Sequence, residues 1–77
     1  MSQIVWASLD PVRRKIDIYP LAIARRIEKS YTERDPYNSS SCVLGADFFN
    51  ATVHFHPSGI QYQTTPGVYI GRAGFKQ

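Results

Sequence analysis

The alternation of apolar and polar side chains changes period twice along this 77-residue chain, and those changes mark out its elements. Residues 4–8 (Ile-Val-Trp-Ala-Ser) read as a short strand, stopped by the Asp10-Pro11 pair, which favours a turn. Ile16-Asp17-Ile18-Tyr19 alternates with period two, which predicts a second strand, buried on one face and joined to the first as a hairpin. Pro20 ends that strand and suits a first helical position. From there Ile23, Ala24, Ile27 and Tyr31 recur at spacings of three and four, with Arg25, Arg26, Glu28 and Lys29 between them, so one amphipathic helix is expected over about residues 20–33.

The helix must stop before Pro36, because the residue preceding a proline is pushed out of the helical region, and residues 35–41 have loop chemistry throughout. Beyond them the period returns to two. Residues 42–44 form a short strand, and Ala51, Val53 and Phe55 then alternate with Thr52, His54 and His56. The His56-Pro57-Ser58-Gly59 turn leads to Ile60, Tyr62 and Thr64 alternating with Gln61 and Gln63. Thr65-Pro66-Gly67 has the chemistry of a type II turn, and a last strand covers residues 68–72. A hairpin, one helix and an antiparallel meander bury their apolar faces together only if the sheet curls around the helix. The expected fold is therefore α+β, a curved antiparallel sheet or half-barrel wrapped around one α-helix, with Trp6, Ile23, Ile27, Val53, Phe55 and Ile60 in the core.

Composition narrows the class without naming a ligand. A chain of 77 residues supports one domain, and 43% hydrophobic against 19% charged residues argues against disorder. The lone Cys42 forms no internal bridge, which points to an intracellular home, cytoplasm or nucleus; the Asn-x-Ser/Thr patterns at Asn38 and Asn50 are then irrelevant. No apolar run approaches the roughly 18 residues that span a bilayer, and residues 1–10 do not read as a signal peptide, so no membrane partner is expected. The net charge of +3 suits an anionic ligand without requiring one.

Catalytic and metal chemistry have little to stand on. His54 and His56 lie two apart on a strand, with Cys42 and Asp47 as the nearby candidate ligands, and hydrogen-bonded or solvent-facing histidines are the preferred reading. A Cys42–His54 nucleophile pair lacks an orienting third group. The chain is thus expected to be a binding protein, not an enzyme, with no cofactor. Two anion-binding patterns are present, Arg13-Arg14 with Arg25-Arg26, and the segment 71–76 with Arg72 and Lys76 among glycines. Gln61 and Gln63 present amides on one side of a strand and Tyr62 a ring on the other.

Trp6 in the first strand, Tyr19 closing the second, Ile27-Glu28 with Tyr31 on the helix, Val53 with Phe55, then Gln61 and Arg72 together resemble the WWE domain, a small module of ubiquitin ligases and poly(ADP-ribose) polymerases. The resemblance covers most of the chain, read as a single WWE-like domain over residues 1–77, and implies the same half-barrel. It also implies recognition of ADP-ribose or poly(ADP-ribose), with Gln61 on the adenine, Arg72 on phosphate, Tyr62 and Tyr69 lining the pocket, and Tyr19 and Lys76 completing the ligand set. Ile16 or Asp17 stands where the family has its second tryptophan, and Ala51 where it has an aromatic, with Phe49 close enough to replace it. Two other readings stay open: a protein-interaction domain without a nucleotide ligand, and a small basic nucleic-acid-binding domain.

Overall fold

The computed structural model describes residues 2–64 and 67–76, with the side chains of residues 2, 3 and 74–76 excepted. In chain order its elements are β1 (Ser2–Asp10), β2 (Lys15–Ile18), α1 (Leu21–Glu33), β3 (Ser40–Gly45), a single 3-10 turn (Ala46–Phe48), β4 (Ala51–Phe55), β5 (Gln61–Thr64) and β6 (Val68–Lys76). Six strands in the order β2-β1-β6-β5-β4-β3, antiparallel at every pairing, make one open sheet, and α1 packs on it against β1 and β3. The α+β class and the single helix of the sequence reading are present. The Thr65-Pro66 part of the expected turn lies outside the described residues.

Helix α1 begins without a side-chain cap. Pro20 sits just before it with φ −54° and ψ 148°, and its carbonyl accepts the Ala24 N–H at 2.8 Å. At the other end Arg34 takes extended backbone, as the approach to Pro36 demands, and its guanidinium donates to the Tyr31 carbonyl at 2.5 Å, satisfying one carbonyl of the last turn. The helix buries Ile23, Ala24 and Ile27 against Trp6, Leu44, Val53 and Phe55, side chains from three strands. Trp6, Tyr31 and Phe55 meet edge to face at ring-centre separations of 5.3 to 6.1 Å, the geometry that aromatic quadrupoles favour.

Three side chains stand where periodicity did not put them. Ile60, expected in the core, is 55% exposed in the turn before β5. Ile16 and Ile18, expected to be half-buried, are both 68% exposed, because the register sets them opposite Leu9 and Ala7, on the sheet face turned away from α1, and puts Asp17 on the helix-facing side. On β5 the alternation is present with the opposite sense to a simple apolar-in reading: Gln63 is buried and Tyr62 faces outward, stacked on His54 at 4.8 Å.

Candidate functional site

The polar centre of the helix-facing side is Tyr19, buried where β2 gives way to α1. Its hydroxyl donates to Oε1 of the buried Gln63 at 2.5 Å, across from β5. Burial pushes the phenol up to about 12, so it remains neutral and able to donate at any physiological pH. The bond ties β5 to the end of β2 through the Gln63 amide, which carries both donors and an acceptor.

Tyr19 and Gln63 border a cavity of about 330 Å³ that opens between the β1–β2 hairpin and the segment linking β3 to β4. Phe48 and Phe49 form one wall, with Phe48 against the Tyr19 ring at 5.4 Å and edge-on to Phe49 at 5.2 Å. Opposite them, Arg13 and Lys15 bring cations to the mouth.

The aromatic wall is held by the helix. Arg26 donates to both oxygens of Asp47, at 3.0 and 2.6 Å, and to the Leu44 carbonyl at 2.6 Å, tying each side of the 3-10 turn to α1. The guanidinium beside it holds the Asp47 carboxyl below the usual range. Gly45 enters the turn at φ +85°, where a side chain is strained and an added Cβ would lie 3.3 Å from Asp47. Phe49 and Asn50 then follow at φ 57° and 53°. Asparagine tolerates this left-handed region, but phenylalanine does so at a cost of about 1–3 kcal/mol. Even so, the Phe49 ring is 71% exposed, a strained residue presented at the rim of a cavity.

The cations of the mouth are placed by the hairpin turn. Asp10 accepts the Val12 and Arg13 N–H groups at 3.0 and 3.1 Å, and Arg14 completes the reversal at φ 55°. Arg13 lies 3.7 Å from Asp10 and Lys15 3.8 Å from Asp17, beyond hydrogen-bond length. Such exposed pairs contribute little and exchange readily for another anion.

Of the six site residues expected from the sequence, only Tyr19 lines this cavity. Gln61 shares a face with Gln63 but lies nearer the other end of β5, opposite Phe55. Tyr62 and Tyr69 face each other across β5 and β6 on the far side of the sheet, and the Lys76 side chain lies outside the described residues. Arg72 is engaged elsewhere: its Nε and Nη2 donate to the two oxygens of Glu28, both at 2.8 Å, and the same carboxylate accepts the Trp6 indole N–H at 3.0 Å. These bonds keep Glu28 charged below the usual glutamate range. Arg34 and Arg72 lie over the Tyr31 ring at 3.7 and 5.3 Å. The Ile27-Glu28 and Tyr31 motif of the helix is thus the framework of this clamp.

Of the cavity's residues, the sequence reading singled out Gln63 as an amide on the strand and Arg13 within an anion-binding pattern without placing either in the ligand set, and it missed Phe48 and gave Lys15 no role. Phe48 lies in the 3-10 turn, which has no periodicity to mark it. The basic cluster is split, since Arg26 is bound by Asp47 and Arg13 pairs with Asp10. Cys42 is buried beside α1 and opposite Val53, whereas His54 lies on the other face, and His56 beyond β4 bonds Ser58 at 2.8 Å. Among the described residues, no three His, Cys, Asp or Glu side chains come close enough together to hold a metal ion, and no helix is long and apolar enough to cross a membrane. Compared with protein-family models, curated proteins and solved structures, the chain finds no match in any of the three.

Proposed function

We propose that the chain is a non-catalytic binding module of the WWE kind, a curved half-barrel whose cavity at Tyr19 and Gln63 takes an adenine nucleotide unit, ADP-ribose or a unit of poly(ADP-ribose). The observation that carries this reading is the buried Tyr19–Gln63 pair bordering a cavity with an exposed phenylalanine on one side and two weakly paired cations on the other. Each group suits one part of such a ligand. Phe49 offers a ring on which a base stacks, and the Gln63 amide can read a base edge. Asp10 and Asp17 accept hydroxyls of a ribose, while Arg13 and Lys15 meet the phosphates as charge-assisted donors. At about 330 Å³ the cavity is at the small end of ligand sites, enough for a nucleoside with its phosphates at the mouth.

Calorimetric titration with ADP-ribose and iso-ADP-ribose, followed in parallel by amide chemical shifts, tests the proposal. Binding is expected, with shifts concentrated around residues 13–19, 47–50 and 63. No heat and no shifts at roughly millimolar ligand would overturn it. Parallel titrations with DNA and RNA at two salt concentrations separate the nucleic-acid reading, which requires comparable binding to every polyanion and a steep salt dependence.

A further inference from the structure

The open sheet has two edges, β3 and β2, and they differ. At β3, Arg26 reaches over from α1 to the Leu44 carbonyl. At β2 the Tyr19 N–H donates to the Trp6 carbonyl at 2.9 Å, which sets the parity of the strand. Backbone groups alternate in direction along an antiparallel pair, so Lys15, Asp17 and Tyr19 turn theirs toward β1, and the N–H and C=O of Ile16 and Ile18 point out of the sheet edge. Natural edges are usually blunted by a proline, a bulge, a covering loop or a lone lysine. Strand β2 (Lys-Ile-Asp-Ile) contains no proline and its register with β1 is unbroken. Its lysine is not alone, because Asp17 stands two residues on, 3.8 Å away on the same face. All four residues are exposed.

We propose that β2 pairs antiparallel with β2 of a second copy of this chain, joining the two sheets edge to edge about a two-fold axis at Ile16. The strand is complementary to itself in one register. With Ile16 opposite Ile16, the outward N–H of each donates to the outward C=O of the other, and the two side chains meet on the face turned away from α1. Lys15 of each copy then stands opposite Asp17 of the other, at the non-hydrogen-bonded positions where opposed side chains come closest. Sliding the copies by one symmetric step sets Asp17 against Asp17 in one direction and Lys15 against Lys15 in the other. A further step past Asp17 puts Pro20, which has no N–H, opposite Ile16. Charge therefore selects both the register and the occupant: an apolar strand leaves both charges of β2 unmatched and a strand of one sign leaves one, whereas a second copy matches each. The exposed Lys15–Asp17 pair within one chain contributes little and gives way to the cross-copy pairs at little cost.

Sedimentation equilibrium of the chain from about 1 μM to about 1 mM tests the pairing, since a short strand contact dissociates within that span. No nucleotide is added, and mass is the readout, because Lys15 and Asp17 also border the cavity. The mass is expected to rise from one chain to two. Lys15→Asp and Asp17→Lys each set like charges opposite one another on both sides of the axis and should weaken the pairing about tenfold or more, with melting temperatures unchanged. An equimolar mixture of the two variants restores every opposite-charge pair between unlike chains and should associate as the wild type does. The double variant K15D/D17K should do so alone. A single-chain mass at the highest wild-type concentration overturns the proposal, as does undiminished association of either single variant. Weakening in both single variants with no recovery in the mixture or the double variant overturns it as well, because the register at Ile16 requires that recovery.

Discussion

Near the end of the helix, Trp6, Glu28 and Arg72 close on one another, whereas just before its start Tyr19, Gln63, Phe48 and Phe49 leave a cavity between them. Both clusters combine aromatic rings, a directional hydrogen-bonding group and nearby cations. What separates them is the placement of the acid. Glu28 sits on α1 within reach of both Trp6 and Arg72 and satisfies each, so the guanidinium is consumed by the fold. At the cavity the acids sit beside their cations on the exposed hairpin, too far for a hydrogen bond, and the nearest helix cation, Arg26, braces the wall from behind. A cation is therefore not a ligand contact by type, and its partner decides.

The most severe test of the shared framework is Ile27→Asp. Ile27 is fully buried between the two clusters, and an unpaired charge there costs several kcal/mol, so the protein should be unfolded by circular dichroism and its amide spectrum collapsed. Next, Glu28→Ala should orphan the indole N–H of a fully buried tryptophan and lower stability by about 1–3 kcal/mol in urea denaturation. Glu28→Gln, which keeps an acceptor for Trp6, should lose less. Both should bind ADP-ribose as the wild type does under folding conditions. A large loss of affinity with stability intact would break the division between clamp and cavity.

At the cavity the expected signature is reversed. Phe49→Gly removes an exposed aromatic from a left-handed backbone position, and the relieved strain offsets the glycine's unfolded-state entropy, leaving stability within about 1 kcal/mol of wild type. Affinity for ADP-ribose should nevertheless fall about tenfold or more as stacking is lost. A smaller effect comes from acid. Glu28 titrates below its ordinary value of 4.5 because Arg72 and Trp6 hydrogen-bond its charged form, so its stabilisation is complete above that value and lost as pH falls through the lowered one. Between about pH 5 and pH 3 the wild type should therefore lose more stability than Glu28→Gln, read from chemical melts at each pH.

How much of this was legible in the sequence differs between the two regions for a physical reason. The helix period located Ile23, Ile27 and Tyr31, and the break at Pro36 set where the helix stops, because helical sterics are local. The α+β class followed from the two changes of period. The cavity was harder to see because its residues come from the hairpin, the β3–β4 link and β5, and the link has no periodicity. The positive backbone angles of Phe49 and Asn50 leave no mark on composition, although the Gly45 before them hints at a turn. Nor does periodicity show which face of the sheet the helix covers: Ile16 and Ile18 alternate as a buried face would, but their register with Leu9 and Ala7 turns them away from α1.

The smallest effect, and the one that tests how register was read, belongs to Gln61. Strand alternation places Gln61 and Gln63 on one face and Tyr62 on the other, but it does not say which amide reaches a partner. Register settles that question: Gln63 stands opposite Val53 and meets Tyr19, while Gln61 stands opposite Phe55, two residues farther along β5 and outside the cavity lining. Gln61→Ala should accordingly leave ADP-ribose affinity within about twofold of wild type, the scale of a half-buried polar side chain that makes no ligand contact. Gln63→Leu keeps the volume but removes the acceptor for the buried Tyr19 hydroxyl, and should reduce both stability and binding. Calorimetry on the two variants separates the positions directly. If Gln61→Ala abolished binding while Gln63→Leu retained it, the ligand would lie toward the Phe55 end of β5, and the cavity beside Tyr19 would not be its site.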